Sequence, residues 1–166
     1  MQNELQQLFR NAMAQLAAAV NVVTTQGEQG TCGLTATAVC SVSDTPATLL
    51  VCINRNSDTN TVFKGNGRLC VNICNAGQEE VSRHFAGMTG LSMAERFDLD
   101  LWEQGAVLSQ PMLKASLASL EGRIVDIAEV GSHSVLYVEL DNIVVREVQD
   151  ALLYFNRGFR TLSANG

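Results

Sequence analysis

The stretch GLTATAVCSVS, from Gly33 to Ser43, alternates like a β-strand, yet the face opposite its apolar residues has no large or charged side chain. The even-numbered residues are all apolar: Leu34, Ala36, Ala38, Cys40 and Val42. The odd-numbered residues mostly carry short hydroxyl groups: Thr35, Thr37, Val39, Ser41 and Ser43. A half-buried strand usually shows long polar side chains to water, so this face predicts a flat polar-edged ring as its neighbour. The alternative is an ordinary solvent-facing strand, since threonine favours strands.

Strands and turns alternate along the chain on both sides of this stretch. A turn at 27–30 precedes it, and Asp44-Thr45-Pro46 breaks it. The segment 47–54 is apolar on both faces, which predicts a central strand. The full set of predicted strands is 21–26, the quoted strand from 32 onward, 47–54, 68–75, 115–128, 133–146 and 151–155.

Helices are few and short in this pattern. An amphipathic helix is predicted over 3–19, a short helix that Gly65 can end follows the third strand, and another helix spans 77–88. The segment 89–112 is irregular with some helix. The pattern therefore predicts a mainly β (α+β) antiparallel fold, a small closed or partly open barrel with an N-terminal helix and one or two inserted helices. One domain is expected over 1–166.

The composition limits the classes of partner that the protein is expected to bind. The 166 residues are 46% hydrophobic and only 17% charged, which suggests surface hidden in an oligomer. A net charge of −6 without a Lys/Arg cluster argues against nucleic acid or an anionic membrane as partner. The N-terminus lacks the features of a signal peptide, and no apolar run is long enough to span a bilayer, so a cytoplasmic location is expected.

The five cysteines lie in apolar or strand-like runs, which favours reduced core thiols. Cys70 and Cys74 lack CxxC spacing and only two histidines exist, so no metal site is expected. Neither His84 nor His133 belongs to a recognisable triad or carboxylate pair. Cys-His catalysis stays open, although no cysteine has an electropositive setting.

The polar segment NRNSDTN, from Asn54 to Asn60, follows an apolar strand and precedes a short helix, a setting that favours an anion. Ser57, Thr59 and Asn60 add short donors, and Arg55 and Lys64 supply nearby cations. Simple N-capping by Ser57, Asp58 or Thr59 is the alternative. The negative charge of Asp58 counts against a phosphate.

Several ordered stretches together resemble the flavin reductase family, whose fold is the FMN-binding split barrel. They are TATAVCSVSDTPATLLVCINRNS (35–57), GNGRLCVNICN (65–75), RHFAGMTG (83–90), LKASLASLEGRI (113–124), GSH (131–133) and LLYFNRGF (152–159). The resemblance extends over nearly the whole chain. It implies a homodimer that transfers hydride from NADH or NADPH to FMN or FAD and supplies diffusible reduced flavin to a separate aromatic monooxygenase of the 4-hydroxyphenylacetate type.

The resemblance also implies a set of site residues. The strand beneath the isoalloxazine ring contributes Thr35, Ala36, Thr37, Ala38, Val39 and Ser41, and the ribityl-phosphate lies along Asn54, Ser57 and Asn60. The outer flavin, or the adenine of FAD, meets Arg83, His84 and Phe85. Tyr154 stands near the ring edge. His133 orients the nicotinamide, and no general base is required because hydride passes directly between the stacked rings.

Two other functions stay open at this point. A non-catalytic flavin-binding or electron-carrier protein could use the same barrel and would retain flavin without oxidising NADH. A small-molecule-binding barrel without flavin would be colourless and would ignore FMN and FAD. The sequence does not distinguish FMN from FAD or NADH from NADPH.

Overall fold

A seven-stranded sheet in which every pairing is antiparallel forms the body of the protein. The computed structural model describes residues 1–166. Its strands are β1 (Ala18–Ala19), β2 (Asn21–Gly27), β3 (Gly30–Ala36), β4 (Val39–Asp44), β5 (Ala47–Asn54), β6 (Arg68–Ile73), β7 (Trp102–Gln104), β8 (Pro111–Leu113), β9 (Ala118–Val130), β10 (His133–Val145), β11 (Ala151–Phe155) and β12 (Gly158–Leu162). The large sheet has the order β3-β2-β6-β9-β10-β5-β4, and smaller sheets β1-β11-β12 and β7-β8 flank it.

The helices lie outside the sheet. They are α1 (Gln2–Met13), α2 (Asn60–Asn66), a 3-10 turn (Ala76–Gln78), α3 (Glu79–Phe85) and α4 (Met93–Asp98). The mainly β, antiparallel class is confirmed, with three short α-helices inserted where one or two were expected. None of the helices is both long and apolar enough to cross a membrane.

Two predicted details are wrong, each for a local reason. The first helix ends at Met13 and not at 19, because Ala18 and Ala19 pair with β11. Gly67, in the left-handed region at φ 69°, ends α2 in place of Gly65. The prediction of β5 as a central strand is confirmed, because β10 and β4 pair with its two sides.

The quoted stretch is two strands, and they lie at opposite edges of the sheet. Strand β3 ends at Ala36 and β4 starts at Val39, so only Thr37 and Ala38 connect the first and last strands in the sheet order. The three steps from Ala36 to Val39 span at most about 11 Å. The sheet must therefore curl until its two edges meet, which makes a barrel that is split at this bend.

The bend also changes whether even- or odd-numbered residues face the core. In β3 the even-numbered residues face it as predicted, because Cys32 and Ala36 are buried. In β4 the odd residue Val39 packs against the core, while Cys40 and Val42 are exposed. A register shift between Ser41 and Ser43 disturbs the alternation further. The expectation of one uniform face is therefore wrong beyond Ala38.

Two clusters of buried side chains make the core. The larger packs on one face of the sheet, and the smaller lies between the other face, α3 and β11. Strand β2 joins them, because Val23 belongs to the larger cluster and Val22 to the smaller. Helix α1 has no buried residue and leaves its apolar side uncovered.

A buried carboxylate ties the segment 105–110 to the sheet. Glu121 on β9 is fully buried and accepts hydrogen bonds from the amides of Val107 (2.9 Å), Leu108 (3.0 Å) and Gln110 (3.2 Å). Asn142 on β10 donates another at 3.0 Å. Four donors for one anion satisfy the charge without a cation.

We expect Glu121→Gln to destabilise the protein, because the new amide group turns N–H donors toward backbone N–H groups. One or two lost charge-assisted hydrogen bonds should lower the free energy of unfolding by about 2–5 kcal/mol. Urea denaturation measures this loss. The exposed Glu147→Gln is the matched control, with a change within about 0.5 kcal/mol. Equal midpoints for both variants would show that Glu121 does not anchor the segment.

Candidate functional site

The bend between β3 and β4 leaves two consecutive main-chain donors free. The carbonyl of Thr37 accepts from the amide of Val39 at 2.9 Å, and the carbonyl of Ala38 accepts from the amide of Cys52 at 3.0 Å. The amides of Thr37 and Ala38 donate to no group in the protein, and both residues are exposed. Free, adjacent N–H groups at a surface bend suit the carbonyl or nitrogen acceptors of a ligand.

Two adjoining depressions meet at this bend, and both include Thr37 and Tyr154. The smaller, about 210 Å³, is lined by Val20, Thr35, Thr37, Ala86, Met88, Tyr154 and Phe159. The larger, about 520 Å³, is lined by Gln7, Arg10, Met13, Ala14, Leu16, Ala18, Thr37, Tyr154 and Arg157. We call the two together the bend groove. Mainly apolar and hydroxyl side chains line the smaller depression, whereas Gln7, Arg10 and Arg157 also line the larger one. The bend adds its free main-chain donors.

The residues predicted along the strand divide between groove and core. Thr37 lines the groove, while Ala38 and Ser41 are exposed beside it. Thr35 also lines the smaller depression, but its hydroxyl donates to the carbonyl of Ser82 on α3 at 2.6 Å. The side chains of Ala36 and Val39 pack in the core.

The three residues Arg83, His84 and Phe85 point in different directions, because successive helix positions are about 100° apart. The Arg83 guanidinium lies over the ring of Phe159, 4.9 Å from its centroid, on the groove side. Phe85 is buried and meets the ring of Trp102 edge-on at 5.5 Å between centroids. His84 is buried on another side of α3, in a separate depression of about 420 Å³. Of the three, only Arg83 contacts a residue that lines the groove, and none of the three lines it directly.

A short loop after α3 forms one wall of the smaller depression, which the sequence did not predict. Ala86 and Met88 line it, and Gly87 and Gly90 take positive φ values of 73° and 79°. The Nδ1 of His84 is 2.6 Å from the hydroxyl of Thr89, which ties this loop to α3. His84 therefore contacts the loop and not the groove itself.

The residues Asn54 and His133 form the far end of the site. Strands β5 and β10 pair them directly, and both are exposed. The Nδ1 of His133 lies 2.8 Å from the hydroxyl of Ser132. Ser57 follows in the loop, and its hydroxyl contacts that of Thr59 at 2.7 Å. The predicted N-cap by a side chain is absent, since no side chain caps α2.

The buried side chain of Asn60 holds the loop after β5 in place. It is 4% exposed, and its side-chain amide donates to the hydroxyl of Ser134 at 3.1 Å and to the carbonyl of Asn54 at 3.4 Å. These bonds join the loop after β5 to β10. The donor that the sequence assigned to a phosphate is already engaged within the protein.

The two cations expected near the anion are paired with one carboxylate. Glu129 on β9 forms ion pairs with Lys64 and with the Nε of Arg55, the latter at 3.2 Å. The hydrogen bond from Lys64, then that from Ser134, lowers the pKa of Glu129. Glu129 therefore offsets one of the two positive charges at this end of the site.

The three buried cysteines offer no activated nucleophile. Burial raises the pKa of Cys32 and of Cys74 to about 11, and it raises the pKa of Cys70 as well. These thiols stay protonated at neutral pH. The prediction of core thiols is confirmed for these three and wrong for Cys40, which is exposed, while Cys52 is half-buried.

The bend groove has room for a flat heteroaromatic ring. Its free amides suit ring carbonyls and nitrogens, and the short side chains of Thr37 and Ala38 leave the bend open to a planar group. The groove contains no histidine paired with a carboxylate. It can therefore bind and orient a reactive group, and it offers no acid–base pair of its own.

Known proteins share both the sequence and the fold. The model of the flavin reductase like domain matches residues 13–163. The 4-hydroxyphenylacetate 3-monooxygenase reductase component of Pseudomonas aeruginosa is 58% identical over 95% of this chain and 92% of its own. The FMN reductase (NADH) RutF of Stutzerimonas stutzeri is 46% identical over 95% of this chain and 88% of its own. The NADH:FAD oxidoreductase SgcE6 of Streptomyces globisporus, solved with NAD and FAD fragments, has a TM-score of 0.87 at 25% identity and covers 96% of this chain and 94% of its own.

We expect Asn60→Ala to lower stability, because it leaves the Ser134 hydroxyl and the Asn54 carbonyl without their buried donor. The loss in the free energy of unfolding should be about 1–3 kcal/mol, measured by urea denaturation. The exposed Asn56→Ala, in the same loop, is the control and should stay within about 0.5 kcal/mol. An Asn60 variant as stable as this control would return the side chain to a ligand-binding role.

Proposed function

The chain belongs to the flavin reductase family, and from this membership we propose that it is the NAD(P)H:flavin oxidoreductase of a two-component monooxygenase. It reduces FMN or FAD by hydride transfer and supplies diffusible reduced flavin to a separate aromatic monooxygenase of the 4-hydroxyphenylacetate type. The observation that carries the proposal is the pair of free amides at Thr37 and Ala38, at a groove lined by apolar and hydroxyl side chains. The 58% identity to a reductase component supports the partner.

The bend groove would hold the flavin ring. The amides of Thr37 and Ala38 would donate to the polar edge of the ring, and Tyr154, Met88 and Phe159 would enclose its apolar part. When bound, the flavin supplies the acceptor for the hydride. Donors fixed in place before reaction stabilise the negative charge that the ring gains on reduction, and they do so without reorganisation.

The loop after β5 would take the ribityl-phosphate. Asn54 and Ser57 present side chains there, and Asn60 holds the loop in place from below. Because Arg55 and Lys64 are both paired with Glu129, recognition would rest mainly on short hydrogen bonds from the loop, with one net positive charge nearby.

His133 would orient the nicotinamide. Its ring is exposed at the start of β10, beside Asn54, and the Ser132 hydroxyl at 2.8 Å fixes one ring nitrogen. Direct hydride transfer needs the two rings close and aligned, and it needs no proton donor for the hydride step itself. The role of His133 is therefore positioning and polarisation.

The enzyme would act as a homodimer of single-domain chains in the cytoplasm. Helix α1 turns its polar residues Gln7 and Arg10 toward the bend groove, while Leu5, Leu8 and Phe9 are 58–70% exposed on the opposite side. An apolar stripe that faces away from its own barrel needs a cover. A second copy of this chain provides one and agrees with the low charged fraction.

Anaerobic stopped-flow measurements test the function directly. The protein is mixed with NADH or NADPH and with FMN, FAD or riboflavin, and both nucleotide oxidation and flavin reduction are followed. We expect multiple turnovers with at least one pair, and reduced flavin that passes through an ultrafiltration membrane. Tight flavin retention without nucleotide oxidation would favour an electron carrier. A protein that binds no flavin would contradict both.

We expect His133→Ala to raise the KM for NADH roughly two- to tenfold and to slow flavin reduction moderately, with flavin affinity kept. His133→Gln, which keeps a polar group, should recover part of the loss. Single-turnover flavin reduction at neutral and mildly acidic pH measures both effects. A rate loss of about 10²–10⁴-fold would instead indicate general acid–base catalysis. Unchanged rates and KM would remove His133 from the site.

A further inference from the structure

Two arginines in the bend groove have no acidic partner. Six of the eleven Lys and Arg side chains form ion pairs with carboxylates: Arg55, Lys64, Arg83, Lys114, Arg123 and Arg146. Arg10 and Arg157 form none, although the chain has an excess of acidic residues. Both line the larger depression of the groove. Two uncompensated guanidinium groups at one depression favour an anion.

The fold brings these arginines together from opposite ends of the chain. Arg157 lies at the tip of the β11–β12 hairpin, and the tip rests on α1. The amide of Asn156 donates to the carbonyl of Ala14 at 2.8 Å, and the Nη2 of Arg157 donates to the side chain of Asn11 at 2.8 Å. Arg10 is the neighbour of Asn11 in the same helix. The contact fixes one guanidinium donor and leaves the others of Arg157 for a ligand.

The backbone at the hairpin tip carries strain. Asn156 and Arg157 both take positive φ values, 48° and 58°. Glycine is the usual residue at the second position of such a two-residue turn, and a non-glycine residue there costs on the order of 1 kcal/mol. The glycine of this segment, Gly158, lies one residue later and does not lower the cost of the left-handed backbone at Arg157. An arginine at this strained position therefore points to a role for its side chain.

We propose that Arg10 and Arg157 bind the pyrophosphate of the nicotinamide dinucleotide. The proposal rests on the function proposed above. Thr37 and Tyr154 separate this depression from the ring pocket, so an anion here would lie beside the bound ring. The flavin's own phosphate has the loop at Ser57. The guanidinium pair is therefore left for the second nucleotide and would hold its diphosphate while the nicotinamide reaches the flavin.

Kinetics with two hydride donors test the assignment. NADH carries a pyrophosphate, whereas N-benzyl-1,4-dihydronicotinamide has the same reactive ring and no phosphate. With riboflavin as acceptor, Arg10→Gln and Arg157→Gln should each raise the KM for NADH about ten- to a hundredfold. The KM for the benzyl compound should not change. Arg160→Gln, which removes a nearby unpaired arginine outside the depression, is the control and should affect neither donor.

Wild-type protein provides a test that does not depend on how the variants fold. Inorganic pyrophosphate should inhibit competitively against NADH and should not inhibit with the benzyl donor. The inhibition should weaken as salt rises. Inhibition that is the same with both donors, or none with either, would overturn the assignment.

Other results would also overturn it in recognisable ways. A KM that rises equally for both donors means that the arginines shape the groove and do not bind phosphate. If the variants lose affinity for FMN while riboflavin affinity and the KM for NADH are unchanged, the arginines bind the flavin phosphate instead. If the wild-type protein is a dimer on size exclusion and the variants are monomers, the arginines are interface residues. Failure of the proposed function looks different, because wild-type protein would then oxidise neither donor.

Discussion

The chain must cross from one edge of a seven-stranded sheet to the other in two residues, and the rest of the structure follows from that crossing. Thr37 and Ala38 span the gap between β3 and β4, so the sheet curls on itself and closes except at the bend. A residue in such a crossing cannot join either ladder fully. Its amide stays unpaired, and unpaired amides at a surface are donors for a ligand.

The same crossing explains the side chains around it. Short hydroxyl and alanine side chains keep the bend thin, so a ring can approach the backbone donors without displacing bulk. The larger groups that shape the groove come from elsewhere: Tyr154 from the hairpin β11–β12 and Met88 from the loop after α3. This division puts the donors on the two-residue bend between paired strands and the walls on the short loop and hairpin. It gives precision where the reacting ring is held.

Local sequence predicted the features that depend on near neighbours. Alternation gave the strands, and the Gly/Pro signals gave the turns, because both arise from a few adjacent residues. The switch from even- to odd-numbered core residues at Thr37 depends on closure of the whole sheet, so no local sequence pattern indicates it. Helical geometry could have separated Arg83, His84 and Phe85, since three consecutive positions cannot share one face. The buried roles of Asn60 and Glu121 need partners from β10 and the segment 105–110, which only the fold brings near.

Charge along the site is arranged unevenly, so in the proposed enzyme the two nucleotides would be held by different means. At the end near Ser57, Glu129 pairs with both Arg55 and Lys64 and offsets one of their two positive charges, so binding there would rest mainly on hydrogen bonds of modest strength. At the other end Arg10 and Arg157 have no acidic partner. In the proposed enzyme reduced flavin must leave after each turnover, and a weakly charged phosphate site allows that release. The donor nucleotide must instead be captured and aligned in each cycle, and free guanidinium groups suit that task.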